Sequence, residues 1–209
     1  MATKGRRNYR PALHFTPKKA WINDPNGLCK RGDTYHLFAQ HYPDDTVWGP
    51  MHWLHATSKD LIHWEEVGIA LAPDALGLIF SGSAVVDADN TAGFGAGALI
   101  AMYTSHGECE QQSIAGAPDG INFVKYEGNP VIPNPGLKDF RDPKVFKNPV
   151  LGGWSCAIAA GDRVAFYHST DLKNWARTGD FGSTENRLGT IFECPDVFPV
   201  KAPDGREVW

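Results

Sequence analysis

A short motif occurs twice in this chain. The pattern Ser-x-Asp-Leu-x-x-Trp is found at residues 58–64 and 169–175, and a weaker copy at residues 119–123 keeps the Asp and an aromatic residue four positions later. Each copy follows a strand-like run of residues. The copies are about 50 to 60 residues apart, and repeats of that length in an all-β chain are typical of β-propellers, whose blades are four-stranded units. The repeat therefore predicts a propeller.

The rest of the chain also has the character of an all-β protein. Short β-prone runs are separated by clusters that draw on 22 glycines and 15 prolines, and long helical periodicity is missing. The clearest runs are residues 34–40, 51–57, 98–103 and 164–169. The repeat predicts blades at approximately 20–78, 79–138, 139–187 and, in part, 188–209. Residues 1–209 are thus expected to form the N-terminal part of a propeller domain, with about three and a half blades.

Residues with chemical potential recur at the same interval. Asp24, the pair Phe80 and Ser81, Asp142 and Glu193 occupy equivalent places in four successive units. Because the innermost strands of a propeller line its central axis, we expect these positions to converge on one pocket. Acids that face one cavity repel one another, which favours a functional role over a structural one.

Residues 21–27, Trp-Ile-Asn-Asp-Pro-Asn-Gly, fix the direction of the first acid. Proline disfavours the helical region for the residue before it, so Pro25 is expected to keep Asp24 extended. The Asn-Gly pair that follows is a strong hairpin signal. We therefore predict that Asp24 ends a short strand just before a tight turn. Taken alone the segment also describes a surface turn, but acids recur close to proline in two later segments.

Two carboxyl groups across a small polar pocket are the usual equipment for cleaving a glycosidic bond. Asp24, in a polar turn, is expected to stay ionised and to act as the nucleophile. Glu193 lies between a phenylalanine and a Cys-Pro pair, a less polar setting that is expected to raise its pKa, as a general acid requires. Asp142, held ionised by the adjacent Arg141, suits the binding of sugar hydroxyl groups.

Aromatic and amide side chains supply candidate walls for a sugar ring. Trp48, Trp53 and Phe80 are candidate apolar walls, and Gln40 and Ser81 are candidate hydrogen-bonding partners for hydroxyl groups. Each of them also has a purely structural interpretation. The aromatic residues at the repeat positions are assigned to packing within the blades, and these are Trp64, Phe123 and Trp175.

Composition excludes several classes of function. The formal net charge of −4 gives no electrostatic basis for binding nucleic acid or an anionic membrane. Residues 1–10 lack the apolar core of a signal peptide, and no apolar run approaches membrane-spanning length. The four cysteines are scattered and are expected to be free thiols, while His52 and His55 would face opposite sides of one strand, so no metal site is predicted. These features predict a cytoplasmic protein.

Four segments together resemble the signature blocks of glycoside hydrolase family 32, the β-fructofuranosidases. These segments are residues 21–27, 80–83, 141–143 and 193–196. The resemblance runs from about Leu13 to the C-terminus and implies a five-bladed β-propeller, usually followed by a β-sandwich. It also implies retaining hydrolysis of terminal β-fructofuranosides, such as sucrose, sucrose-6-phosphate or short fructans, without a metal or cofactor.

The resemblance also implies roles for individual residues. Asp24 matches the family's nucleophile and Glu193 its acid/base, while Asp142, with Arg141, matches the acid that binds fructose hydroxyl groups and stabilises the transition state. The residues that match the lining of the fructose subsite are Asn23, Gln40, Trp48, Phe80 and Ser81.

The repeat further predicts an incomplete ring. The fourth unit begins near residue 188, and the chain reaches Trp209 inside what should be its second strand, which leaves strand edges unpaired. We expect a missing C-terminal portion or self-association to complete the propeller. Two alternatives to hydrolysis stay open: a fructosyltransferase, in which a sugar replaces water as the acceptor, and a silent propeller that only binds sugar or a partner chain.

Overall fold

The computed structural model describes residues 10–11, 13–182 and 191–209, and in this part of the chain the regular elements are all β-strands. The first sheet contains β1 (Trp21–Arg31), β2 (Thr34–Tyr42), β3 (His52–Ser58) and β4 (Trp64–Leu71). The second contains β5 (Leu78–Asp87), β6 (Ala98–His106), β7 (Glu110–Ala117) and β8 (Val124–Lys125). The third contains β9 (Arg141–Lys147), β10 (Trp154–Ala159), β11 (Val164–Ser169) and β12 (Ala176–Phe181). A short hairpin consists of β13 (Val200–Lys201) and β14 (Glu207–Val208).

Strand order within each of the three larger sheets follows the chain, and neighbouring strands are antiparallel. The first strands, β1, β5 and β9, lie next to one another across the sheet boundaries. Ser83 of β5, for example, donates a hydrogen bond from Oγ to the carbonyl oxygen of Pro143 in β9 at 2.8 Å. Four-stranded meanders whose first strands lie together are the blades of a propeller, so the predicted all-β propeller architecture is confirmed.

The fourth predicted unit is described only from residue 191 onward, since residues 188–190 lie outside the described part of the chain. Its β13 and β14 pair through Val200 with Val208 and Lys201 with Glu207. The blade limits drawn from the repeat stay a prediction.

Two buried apolar clusters join the three sheets. The first lies between the first and second sheets, around Phe38, Trp53 and Tyr103, all 0% exposed. The second lies between the second and third sheets, around Phe140 and Trp154. Because full burial of a large apolar side chain contributes about 1.5–3 kcal/mol, these clusters hold the sheets together and fix the relative positions of their first strands.

The repeated motif forms the same turn in each of its copies. The carboxylate of Asp60 accepts hydrogen bonds from the amides two and three residues later, at 2.9 and 2.8 Å. Asp171 does the same at 2.9 and 2.7 Å, and Asp119 of the weaker copy at 2.8 Å to both amides. The residue after each aspartate has a left-handed conformation, with φ of 66° at Leu61, 62° at Leu172 and 81° at Gly120. The repeat thus marks the last hairpin of each of the three larger sheets.

The predicted hairpin turn at Asn26 and Gly27 is wrong. Both residues lie inside β1, where the pairing with β2 shifts register on either side of Asn26, and the chain reverses only at Gly32. Gly27 has a φ of 59°, and a Cβ there would be 2.7 Å from Cδ2 of Phe38. A left-handed backbone conformation and close packing against a core aromatic ring, rather than chain reversal, require glycine at this bulge.

Candidate active site

A pocket of about 420 Å³ lies where the first strands of the three sheets meet. Nine of the site residues predicted from the sequence line it, and these are Asn23, Asp24, Gln40, Trp48, Phe80, Ser81, Arg141, Asp142 and Glu193. Glu110 and Cys194 complete the lining. A smaller cavity of about 190 Å³ adjoins it and shares Asp24, Ser81 and Asp142. The fold therefore brings side chains from three sheets, and from the segment after residue 190, to one place.

Asp24 lies in the irregular part of β1 and is exposed to the pocket. Its Oδ2 accepts a hydrogen bond from Ser81 Oγ of the neighbouring β5 at 3.1 Å. Beside it, Asn23 Oδ1 accepts from Trp21 Nε1 at 2.7 Å, which fixes the amide of Asn23. Gln40 is buried and donates from Nε2 to the main-chain carbonyl that precedes Phe80, at 2.9 Å. These contacts fix the orientation of the polar groups on this side of the pocket.

Three pocket residues share an uncommon backbone conformation. Asp24, Asp142 and Cys194 have φ values of 29°, 62° and 47°, and each directly precedes a proline. Proline normally drives the preceding residue into the extended region, and residues other than glycine rarely have positive φ. The extended geometry predicted for Asp24 is therefore wrong. Such conformations persist only where the surroundings hold them, and they cluster at functional sites.

Asp142 is the buried acid of the pocket, with 7% of the residue exposed. Its Oδ2 accepts a hydrogen bond from the amide of Cys194 at 2.9 Å, and its own amide donates to Thr104 Oγ1 at 3.0 Å. Burial raises the pKa of Asp142 above its ordinary value, whereas the Cys194 amide and the charge of Arg141 lower it by less. The charge of Arg141 lowers the pKa of Asp142, as predicted, but the larger opposing effect of desolvation was not predicted.

Glu193 does not lie in the apolar setting predicted for it. Its side chain is 65% exposed, and Oε1 accepts a hydrogen bond from Arg141 Nη2 at 3.0 Å. The prediction rested on the neighbouring Phe192, Cys194 and Pro195, but these residues do not enclose the carboxyl group. The carboxyl group of Glu193 faces the pocket beside Arg141.

Arg141 is the central cation of the site. Its Nη1 donates to both carboxylate oxygens of Glu110 at 3.1 Å and to Asp139 Oδ1 at 2.7 Å. Burial alone would lower the pKa of Arg141, but the hydrogen bonds to Asp139, Glu193 and Glu110 outweigh it and raise the pKa above its ordinary value. The guanidinium group therefore stays charged while it is shared among three carboxylates.

The apolar wall of the pocket consists of Trp48 and Phe80. Their rings meet edge to face with centroids 6.4 Å apart, and Trp48 is 53% exposed. Phe80 also stacks on His106 at 4.1 Å, with an interplanar angle of 9°. Trp53, the third candidate wall, is instead 0% exposed in the core and donates from Nε1 to the carbonyl oxygen of Phe80 at 3.0 Å. It supports the wall from behind and does not line the pocket.

Comparison with known proteins identifies the family. Residues 14–209 match the family described as Glycosyl hydrolases family 32 N-terminal domain. The chain belongs to glycoside hydrolase family 32. The resemblance carried by the four signature segments is thus confirmed.

Relatives within family 32 include several fructan-related proteins. The chain is 51% identical to the levanase of Bacillus subtilis (strain 168), over 97% of this chain and 31% of that protein. It is 41% identical to an extracellular exo-inulinase of Aspergillus niger, over 94% of this chain and 42% of that protein. A solved structure of fructofuranosidase from Schwanniomyces occidentalis complexed with fructose aligns with a TM-score of 0.85 and 39% identity, over 93% of this chain and 40% of that one. The chain therefore spans well under half the length of these relatives.

Two lining residues of this family 32 pocket, Glu110 and Cys194, were not among the predicted site residues. Glu110 begins β7 directly after a hairpin, with no adjacent proline and no equivalent in the repeat, so no local pattern points to it. Cys194 lies in a signature segment, directly after Glu193, and this position could have indicated that it lines the pocket. Burial and then the carboxylates of Asp142 and Asp24 raise the pKa of the Cys194 thiol to about 12, so it stays neutral.

The described ranges, 10–11, 13–182 and 191–209, contain no group of three or more His, Cys, Asp or Glu side chains arranged to hold a metal ion. The four cysteines are free thiols, as predicted. Where the structure describes the chain, no helix has the length and apolar character needed to cross a membrane.

Proposed function

We propose that this chain carries the catalytic site of a retaining β-fructofuranosidase that releases terminal fructosyl units from sucrose or short fructans. The observation that carries the proposal is that Asp24 and Glu193, far apart in the sequence, line one pocket together with the buried Asp142. Similarity to proteins named levanase, exo-inulinase and invertase supports a fructose-containing carbohydrate as the substrate.

Asp24 is the nucleophile in this proposal. Because Ser81 Oγ occupies Oδ2, the other carboxylate oxygen, Oδ1, is assigned to attack the anomeric carbon of the fructosyl unit. Glu193 donates its proton to the glycosidic oxygen as the bond from that oxygen to the anomeric carbon breaks. The products of this step are the released sugar and a fructosyl ester on Asp24.

Water completes the reaction in the second step. Glu193, now ionised, accepts a proton from water, and the resulting oxygen nucleophile displaces Asp24 from the anomeric carbon. Two displacements retain the configuration at that carbon. A retaining mechanism requires the two carboxyl groups to lie roughly 5–5.5 Å apart when substrate is bound, which leaves no room for a water molecule between them in the first step.

The remaining pocket residues bind the sugar. Asp142, whose pKa is raised by burial, can both accept hydrogen bonds from and, when protonated, donate hydrogen bonds to ring hydroxyl groups. Trp48 and Phe80 offer apolar faces to the ring, and Asn23 presents a fixed amide. The site therefore combines one nucleophile, one proton donor and a set of orienting contacts.

The test is fructose release from sucrose, levan and inulin by the wild-type chain and by Asp24→Asn. The substitution keeps the shape of the side chain but removes the nucleophilic charge, so we expect release to fall by about a thousandfold or more. Asp44→Asn makes the same change at an exposed residue outside the pocket lining, so it is the matched control and should retain full activity. Equal activity in Asp24→Asn and the control would overturn the nucleophile assignment.

Cellular location stays a prediction. Four free cysteines support a reducing, cytoplasmic setting, whereas the similar exo-inulinases of Aspergillus are named as extracellular proteins.

A further inference from the structure

Glu110 is a charged residue of the pocket lining to which the proposed reaction gives no task. Glu110 is only 5% exposed. Because ionisable side chains are rarely buried without a partner, the groups that contact its carboxylate matter. Its Oε2 accepts a hydrogen bond from the amide of Phe140 at 2.7 Å, and both of its oxygens accept from Arg141 Nη1 at 3.1 Å. Nδ1 of His106 lies 3.3 Å from Oε1. The carboxyl group is thus held by hydrogen bonds from two sides, with the ring of His106 beside it.

These contacts connect the apolar wall of the pocket to the proposed acid. Phe80 stacks on His106, His106 contacts Glu110, and Glu110 fixes one nitrogen of Arg141. The other terminal nitrogen of Arg141 then faces Glu193 at 3.0 Å. Because a guanidinium group is planar and rigid, fixing Nη1 also fixes the direction in which Nη2 points.

Charge gives Glu110 a second effect on Glu193. A cation at hydrogen-bonding distance favours the ionised form of a carboxyl group, yet a general acid has to hold its proton near neutral pH. Arg141 is divided among three carboxylates, so its positive charge is partly neutralised before it acts on Glu193. The other titratable groups around the cluster are Asp24 of β1, His106 of β6, Asp139 in the segment before β9, Asp142 of β9, and Cys194.

We propose that Glu110 is a positioning residue for the acid/base group: it holds Arg141 Nη1, aims Nη2 at Glu193, and offsets part of the guanidinium charge at that carboxyl group. The inference rests on the proposed function of Glu193 as the acid. Glu110 itself touches neither substrate nor reacting atoms in this scheme, and it acts through Arg141.

Glu110→Gln tests the charge while keeping the shape. In the position of Oε2 the amide oxygen can still accept from Phe140 and Arg141, while the NH₂ group replaces the second acceptor of Arg141 Nη1. Removing the negative charge leaves more of the Arg141 charge acting on Glu193, so the pKa of Glu193 should fall by about half a unit to one unit. In the pH profile of kcat/KM for sucrose, the alkaline limb should move to lower pH by the same amount.

Glu108→Gln is the matched control, because it makes the same charge change at an exposed position two residues away in the same hairpin. It should leave the alkaline limb of the profile and the pKa of Glu193 unchanged. The pKa of Glu193 is measured independently of turnover by ¹³C NMR titration of the chain labelled at the glutamate carboxyl carbons, with its resonance assigned by its loss in Glu193→Gln.

The two readouts separate the two proposals. A lowered Glu193 pKa in Glu110→Gln, with the control unchanged, supports the positioning role even if no variant turns over sucrose. The absence of turnover would count only against the proposed function. Turnover by the wild-type chain with an unshifted Glu193 pKa and an unshifted alkaline limb in Glu110→Gln would overturn the positioning role and leave the function standing. A loss of kcat in Glu110→Gln, with no shift in the Glu193 pKa or in the alkaline limb, would show that Glu110 only supports the fold. That result would also overturn the positioning role.

Discussion

Single residues at the centre of this protein adopt conformations that their side chains disfavour. Asp24, Asp142 and Cys194 precede prolines and still have positive φ, and Gly27 has a φ of 59° where its backbone meets a core ring. The first three are held by pocket contacts such as the bond from Cys194 N to Asp142. At Gly27 the requirement is both conformational and steric, and these two parts can be measured separately.

Gly27→Ala and Gly32→Ala form a matched pair. Both glycines have nearly the same φ, 59° and 60°, but an added Cβ meets Phe38 at 2.7 Å only at Gly27 and nothing within 4 Å at Gly32. Gly32→Ala should cost about 1 kcal/mol of unfolding free energy from backbone strain. Gly27→Ala should cost about 1–3 kcal/mol more, because Phe38 is fully buried and cannot move aside. Urea unfolding measures both, and equal losses would show that the contact with Phe38 is unimportant.

Among the structural elements, the repeated turn is the one that the sequence specifies most directly. Asp60, Asp119 and Asp171 each accept two main-chain amides, and the following residue is left-handed in every copy. At Asp171 burial opposes ionisation, but hydrogen bonds from Asn174 and Lys173 prevail and lower the pKa to about 2. A carboxyl group whose pKa is lower in the folded than in the unfolded chain stabilises the fold above its unfolded pKa.

Asp171→Ala should therefore cost about 1–2 kcal/mol of unfolding free energy at pH 7, because two amides lose their acceptor. The contribution of the charge is complete above the unfolded pKa of about 3.9 and is lost as pH falls toward the folded pKa of about 2. The gap between variant and wild type should consequently narrow between pH 4 and pH 2. Thr170→Ala, an exposed neighbour in the same turn, is the control. A gap that stays constant over this pH range would contradict the role of the charge.

The elements also show how far sequence reasoning reaches. The motif around Asp60 and Asp171 predicts the repeated four-stranded sheets because its turn is local. The carboxylate acceptor and the amides that donate to it lie within four consecutive residues. The convergence of Asp24 and Asp142 follows because equivalent positions in a repeat meet at one axis. The Asn26-Gly27 turn was predicted wrongly because packing against Phe38, a contact across the sheet, outweighs the local hairpin preference.

The charge environment of the site is where local reasoning fails most. Neighbours in the sequence suggested that Arg141 pairs with Asp142 and that Glu193 sits among apolar groups. In the fold Arg141 also hydrogen-bonds to Glu110 and Glu193, and burial affects the pKa of Asp142 more than the charge of Arg141 does. Burial and charge pairing depend on residues that are distant in the chain, so no window of sequence contains them.

At the scale of the whole molecule, the pocket concentrates acids at the junction of three sheets. Asp24, Asp142 and Glu193 share it with Glu110, against the single guanidinium group of Arg141. Burial disfavours the ionised form of Asp142 in the folded state, a cost that the packing of the sheets around it has to offset. The stability of the entire fold should therefore respond to a change at one pocket acid.

Asp142→Asn should raise the melting temperature at pH 7 while it reduces fructose release by on the order of a hundredfold or more. The pKa of Asp142 is higher in the folded than in the unfolded chain, so its ionisation destabilises the fold as pH rises through and above the ordinary value of about 3.9. Below that pH the Asp142 carboxyl group is protonated in both the folded and the unfolded chain, so the variant and the wild type should have similar melting temperatures. Calorimetry at pH 3 and pH 7 measures the difference, with Asp44→Asn as the exposed control. A lower melting temperature than wild type at pH 7 alone would contradict the argument.

The convergence of the first strands on one pocket has a consequence for the orientation of a bound sugar. The scaffold is close to rotationally repetitive, but the corresponding positions carry different groups: a carboxylate on β1, a hydroxyl on β5, and a buried carboxyl beside a cation on β9. Identical blades would offer a bound molecule several equivalent orientations about the axis of the pocket. Unlike residues at like positions remove that equivalence, so under the proposed function only one orientation brings the anomeric carbon of a fructosyl unit to Asp24.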